Sequence, residues 1–224
     1  KKIMNNLKEK CALEALKYIK DHSIVGLGGG STIAYLVEFL AKKNLDIKIV
    51  TPSYQTAMLC LKHQLCVVPT WSVDHVDIAF DGCDEVDLKL NALKSGGAIH
   101  TKEKIIASMA NDYVLLVDES KVFEKLPFDH AITIETIPES IKYVQKELEK
   151  LGAIVSMRQS KAKDGYTISD HGMFIMEAKF KNVEDIQELD NSLKKITGIV
   201  DTSLFVGKVN FVLSIDDDGY IRKF

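Results

Sequence analysis

Residues 24–40 read Ile24-Val25-Gly26-Leu27, then Gly28-Gly29-Gly30-Ser31-Thr32, then an apolar pattern that runs through Leu36, Val37 and Leu40. A short apolar run, a glycine loop and apolar positions at helical spacing predict strand, loop and helix in succession. The same rhythm extends outward. Upstream, Ile3, Leu7, Cys11, Ala15, Leu16 and Ile19 make one apolar stripe, which predicts a helix over 2–20. Downstream, the pattern predicts strand 47–50, helix 55–62, strand 66–68, strand 76–80, helix 102–111 and strand 113–118. Strands interleaved with helices predict an α/β fold: a mainly parallel, doubly wound, Rossmann-like sheet covered on both faces.

From about Pro127 the rhythm changes. Strand 131–137, helix 139–151, strands 153–157 and 173–178, helix 183–195 and strand 199–205 form a βαββαβ series, which predicts a second, smaller ferredoxin-like α+β domain over 127–205. The final stretch, 210–224, carries two β-rich runs around Asp216-Asp217-Asp218-Gly219 and is expected to return to the first sheet. The larger domain is therefore expected to be discontinuous, 1–126 plus 206–224.

Composition narrows the classes. Among 224 residues, 29 Lys and Arg face 32 Asp and Glu, a net charge of −3 with no basic stripe, so nucleic acid is not an expected ligand. Cys11, Cys60, Cys66 and Cys83 form no C-x-x-C pair, which disfavours zinc, and they read as reduced thiols. Apolar runs such as 113–117 are too short to span a bilayer, so a cytoplasmic protein without a membrane role is expected.

Three clusters could carry chemistry. The loop Gly28–Thr32 lets backbone approach a ligand at a helix N-terminus, where a phosphate would be favoured, although Ser31 or Thr32 could equally be a simple helix cap. Ile33 stands where a dinucleotide fingerprint needs its third glycine, and no Gly-Lys-Ser/Thr follows, so neither nucleotide pattern is met. Asp81-Gly82-Cys83-Asp84-Glu85-Val86-Asp87 places four carboxylates at the end of a strand, where α/β sheets bind ligands. They suit proton transfer or, equally, an acidic turn. In Lys94-Ser95-Gly96-Gly97-Ala98 and the following Thr101-Lys102-Glu103-Lys104, Lys94 could reach a ligand oxygen, and Glu103 stands in a first helical turn where it would ordinarily complement the helix dipole. Lys121, after Asp118-Glu119-Ser120, and Lys8 in the first helix are weaker phosphate candidates. The six histidines show no metal or nucleophile spacing and receive no role.

Taken together, GGGST at 28–32, DGCDEVD at 81–87, KSGGAIHTKEK at 94–104 and VDESK at 117–121 resemble the ordered motifs of the type A ribose-5-phosphate isomerases: G-T-G-S-T, D-G-A-D-E, K-G-G-G-A-A-L-T-R-E-K and D-x-S-K. Among the departures are Gly29 for Thr, Cys83 for Ala, Ser95 for Gly and Lys102 for Arg. The resemblance implies interconversion of D-ribose 5-phosphate and D-ribulose 5-phosphate through an enediolate, in the non-oxidative pentose phosphate pathway, with no metal or organic cofactor. It also implies a homodimer or homotetramer. By motif match Glu103 would be the carbon base, Lys94 would stabilise the enediolate oxygen, and Asp81 and Asp84 would open the sugar ring and relay hydroxyl protons. Gly29, Gly30, Ser31, Thr32, Lys121 and Lys8 would hold the substrate, chiefly its phosphate. Gly82, Cys83, Ser95, Gly96 and Gly97 would line the sugar. Rival expectations are an amino-sugar phosphate deaminase, which should place a histidine for ring opening, and a non-catalytic sugar-phosphate sensor.

Overall fold

The structure, a computed structural model, describes residues 2–94 and 96–224. In chain order its elements are α1 (Lys2–Leu16), β1 (Ile24–Leu27), α2 (Ser31–Leu40), β2 (Lys48–Val50), α3 (Tyr54–Lys62), β3 (Val76–Asp81), β4 (Glu85–Asp87), β5 (Ala92–Leu93), α4 (His100–Met109), β6 (Ala110–Asp118) and β7 (Val122–Phe123). There follow β8 (Ile132–Thr136), α5 (Ile141–Lys150), β9 (Ile154–Met157), β10 (Phe174–Lys179), α6 (Ile186–Lys194), β11 (Ile199–Thr202), β12 (Leu204–Phe205), β13 (Phe211–Ile215) and β14 (Ile221–Lys223).

The central sheet has the order β14-β13-β6-β3-β1-β2. The five strands from β13 to β2 run parallel, and β14 is an antiparallel edge. Strands β1, β3 and β6 are sandwiched between layers, so their stretches Ile24–Leu27, 78–80 and 113–117 read as apolar runs rather than alternating ones. On one face α1 and α2 pack through Leu7, Cys11, Ala12 and Ala15 and through Ile33, Leu36, Val37 and Leu40. The spacing of each set keeps it on a single helical face.

The opposite face departs from the expected helical layer. It is covered by α4 together with a small sheet, β12-β5-β4-β7, through Ile106, Ala107, Val86, Ala92 and Phe205. Strands of two or three residues are too short to show a period, so this sheet has no signature in the sequence. The predicted strand at 66–68 is likewise reduced to one bridge, Val67 with Ile49. Its ladder ends after the Val68 N–H to Ile49 carbonyl bond because the chain then turns through Pro69 into a single 3₁₀ turn at Thr70–Ser72, which carries it away from β2. The first helix stops at Leu16 rather than running to Lys20, and its last turn tightens into i to i+3 bonds from Lys17, Tyr18 and Ile19.

The βαββαβ series folds into an antiparallel sheet of order β11-β8-β10-β9, with α5 and α6 packed on one face through Val144, Leu148, Ile186 and Leu193. The predicted single strand 199–205 is two strands in two sheets. Ser203 lies between them, and its N–H reaches the Thr133 carbonyl at 2.8 Å while its own carbonyl accepts from the Lys94 N–H at 3.0 Å. After this unit the chain returns to lay β13 beside β6. Among the described residues no helix is long and apolar enough to cross a membrane, and no group of three or more His, Cys, Asp and Glu side chains is placed to hold a metal ion.

Candidate active site

A strand order of β2-β1-β3-β6-β13 reverses direction between β1 and β3, and open α/β sheets bind ligands at the carboxyl end of such a reversal. A cleft of about 800 Å³ opens there. Every parallel strand feeds it. The loop after β1 supplies Gly29–Thr32, that after β2 supplies Ser53 and Gln55, β3 ends in Asp81, β6 leads to Asp118–Lys121, and the turn after β13 brings Asp217.

The loop after β1 passes unusually close to β3. The Gly28 N–H donates to the Phe80 carbonyl at 2.9 Å, and the Thr56 hydroxyl donates to the Gly28 carbonyl at 2.7 Å. A Cβ on Gly28 would lie 2.0 Å from Asp81 Oδ1. Gly30 caps α2 with φ near 95°, a left-handed conformation suited to glycine, and no side chain caps the first turn, so its N–H groups remain available to an anion. Lys8 of α1 donates to Ser31 Oγ at 2.9 Å, bringing an ammonium to this end of the cleft. Lys121 also lines it, with its Nζ on the Cys83 carbonyl at 2.8 Å.

At the other end stand Asp81, Lys94 and Glu103. Lys94 Nζ lies 3.0 Å from Asp81 Oδ2 and 3.6 Å from Glu103 Oε1, and it also donates to the Gly82 carbonyl. Asp81 accepts from the Gly82 N–H at 2.8 Å, the Gly29 N–H at 3.4 Å and the Tyr113 hydroxyl at 3.1 Å. Burial, opposed by the Lys94 ammonium and reinforced by Asp81, pushes the Glu103 carboxyl up to about 8. The field of the helix N-terminus should lower it, so the dry surroundings win. Burial also works against the Lys94 ammonium, yet Asp81 and then Glu103 outweigh it and hold its pKa above the ordinary lysine value.

The four carboxylates of 81–87 divide. Asp81 and Asp84 line the cleft, while Glu85 and Asp87 face away from it. Glu85 accepts from the backbone of Phe128 and His130 at 3.0 and 2.7 Å, and Asp87 from the backbone of Lys89 and Asn91 at 3.0 and 2.9 Å, so both tie loops together. The acidic stretch also opens β4 instead of capping a helix. Gly82, Cys83, Gly96 and Gly97 line the cleft with the other predicted residues. The Cys83 thiol is pushed up to about 12 by burial, so it is no nucleophile at neutral pH. Ser95 lies outside the described residues.

Sequence reasoning missed Tyr113, Ser53, Gln55 and His100. Tyr113 sits in an apolar strand and reads as core, although a buried phenol needs a partner, and that need was the available signal. His100 lines the cleft, but its Nε2 engages the Asp201 carbonyl at 3.3 Å and burial holds its pKa down near 4, so it is a neutral wall residue.

Comparison with known proteins fits this geometry. The profile described as Ribose 5-phosphate isomerase A (phosphoriboisomerase A) matches residues 48–219. Proteins named ribose-5-phosphate isomerase A from Thermococcus kodakarensis and Methanothermobacter thermautotrophicus are each 38% identical, with 98% and 97% of both chains covered. A D-ribose-5-phosphate isomerase solved in complex with phospho-erythronic acid superposes with a TM-score of 0.92 at 36% identity, covering 98% of this chain and 97% of that one. The ribose 5-phosphate isomerase A of Methanocaldococcus jannaschii superposes at 0.90 and 34% identity, covering 98% of each. With sequence and backbone both matched over nearly the whole length, the chain belongs to the ribose 5-phosphate isomerase A family.

Proposed function

We infer that the chain interconverts D-ribose 5-phosphate and D-ribulose 5-phosphate. The observation that carries the mechanism is the buried triad of Glu103, Lys94 and Asp81, set across one cleft from an uncapped helix N-terminus flanked by Lys8 and Lys121. An aldose–ketose isomerisation needs a carbon base, a cation at the developing oxyanion and an anchor for the phosphate, and these residues supply all three.

In this reading the phosphate sits against the backbone of Gly29–Thr32 with Lys8 and Lys121, and Asp81 with Asp84 exchanges the hydroxyl protons that open the furanose. Glu103 then takes the proton from C2. The C2–H electron pair becomes the C1–C2 double bond, the C1 carbonyl pair moves onto O1, and Lys94 meets the resulting negative charge. Glu103 returns the proton to C1, O1 is protonated, and loss of the O2 proton leaves the ketone at C2. The backbone at Gly82, Cys83, Gly96 and Gly97 lines the sugar. A phosphate paired with a carboxylate, as in phospho-erythronic acid, presents the same two anionic ends and should compete with substrate. The family resemblance extends the proposal to a homodimer or homotetramer in the cytoplasm, which light scattering of the purified chain tests.

The direct test is to incubate purified, chelator-treated protein with ribose 5-phosphate in D₂O, following ketose formation and deuterium at C1. Wild type should turn over, and Glu103→Gln should lose about 10²–10⁴-fold in kcat while remaining folded. Absence of product from folded wild type would refute the function, and near-normal turnover of the variant would remove Glu103 from the mechanism.

A further inference from the structure

The smaller sheet has one face packed by α5 and α6, and its other face is buried yet polar. Along β8, Ile132 and Ile134 enter the apolar core, whereas Thr133 and Glu135 alternate to the opposite side, as a strand's two-residue period requires. Glu135 is only 1% exposed and has no part in the chemistry described above.

That polar face grips the catalytic segment. Glu135 Oε2 accepts from the Thr101 hydroxyl, and its Oε1 accepts from Ser169 Oγ and from His171 Nδ1 at 3.1 Å. Burial alone would raise the Glu135 pKa, but these three donors prevail and hold it below the ordinary glutamate value. Lys104 pairs with Asp201 at 2.7 Å, Lys102 with Asp170 at 2.9 Å, and His100 Nε2 meets the Asp201 carbonyl. Arg158, bonded to Thr133 Oγ1 at 2.9 Å, reaches the Gly96 carbonyl at 3.3 Å. In the first turn of α4, residues 100, 101, 102 and 104 are thus all tied to the smaller unit, while Glu103 alone is directed at Lys94. The helix has no side-chain N-cap of its own to fix this turn.

We propose that Glu135 is a positioning residue, acting through Thr101 to fix the first turn of α4 so that the Glu103 carboxylate is held against the reacting carbon. The smaller unit is then part of the catalytic apparatus without touching substrate. This rests on the isomerase reading above. A misplacement of the base by about 1 Å costs on the order of 10²-fold in rate, while phosphate anchoring, at the far end of the cleft, is untouched.

The test is a cycle of Glu135→Gln, Thr101→Val and the double variant, with Thr101→Ser as rescue, all in the isomerase assay with folding checked by circular dichroism. Each single variant should lower kcat about 10- to 100-fold with KM within about twofold of wild type. The double variant should be no worse than the more impaired single one, and Thr101→Ser should retain kcat, because the two groups act as one contact. Unchanged kcat in a folded Glu135→Gln, additive losses, or losses confined to KM would overturn the proposal. Should Glu135→Gln fail to fold, Thr101→Val decides alone by the same kcat criterion. Wild type that does not isomerise ribose 5-phosphate would remove the isomerase reading itself, a result distinct from active wild type with indifferent variants.

Discussion

Two adjacent glycines should respond in opposite ways to a side chain. In Gly28→Ala the new Cβ would stand 2.0 Å from Asp81 Oδ1 and 2.2 Å from its Cγ. Carbon atoms added to folded chains essentially never sit closer than 3.0 Å to a neighbour, so the carboxylate must retreat by about 1 Å or more. The loop cannot retreat in its place, because Gly28 is held on both sides by the Phe80 carbonyl and the Thr56 hydroxyl. A shift of that size breaks the 3.0 Å contact with Lys94 and the 2.8 Å bond from the Gly82 N–H. Separating a buried ion pair costs about 3–5 kcal/mol. For a chain of this length that corresponds to a fall of roughly 6–20 °C in Tm, at about 2–4 °C per kcal/mol. In the mechanism proposed above, displacing Asp81 and Lys94 should also cut kcat by about 10²-fold. At Gly29 the nearest atoms to a new Cβ are those of Ser53 at 3.9 Å, an ordinary contact. Gly29→Thr, which restores the family residue, should therefore keep Tm within about 2 °C and lower KM by about 2- to 10-fold through one added hydrogen bond to phosphate. Thermal unfolding by circular dichroism and a coupled ketose assay read both. Gly28→Ala with wild-type Tm and kcat would show that Asp81 is not pinned between Gly28 and Lys94.

Further outcomes follow from the same geometry. Lys94→Ala should lose about 2.7–4 kcal/mol of transition-state stabilisation, seen as a fall of roughly 10²–10³ in kcat, and an effect on KM alone would reduce Lys94 to a binding role. Because burial raises the Glu103 pKa to about 8 and Glu103, as the proposed base, must be ionised to act, kcat/KM should fall as pH drops below about 8, approaching tenfold per unit. A plateau extending down to pH 6 would contradict this, and with it the burial argument for Glu103. Lys121→Ala should raise KM about 10- to 100-fold through a lost charged contact while kcat changes far less, which steady-state kinetics checks.

The central sheet was legible because strands buried on both sides must be apolar throughout, and the helices between them show one apolar stripe each. The small β12-β5-β4-β7 sheet was not, since Glu85 and Asp87 belong to a strand of three residues whose acidity reflects bonds from Glu85 to the distant loop at 128–130 and from Asp87 to the turn that follows at 89–91. Asp81, Asp84, Lys94 and Glu103 could be proposed as one group only because four motifs fell in a known order. Spacing says nothing of the 3.0 and 3.6 Å contacts that join three of them. Tyr113, Ser53 and the grip of Glu135 on Thr101 are products of tertiary packing alone, joining residues up to 34 positions apart in the last case.

The placement of β13 has a consequence for biogenesis. Strand β6, apolar from Tyr113 to Val117, gains its second neighbour only when residues 211–215 arrive, after the whole of 122–205 has been translated and threaded through another unit. Until then the nascent chain carries a long, greasy, unzipped flank, the kind of surface that invites pairing with a stranger. Ribosome stalling inside the inserted unit, or a frameshift before Phe211, should therefore yield aggregates that recruit chaperones rather than a truncated but soluble half-enzyme.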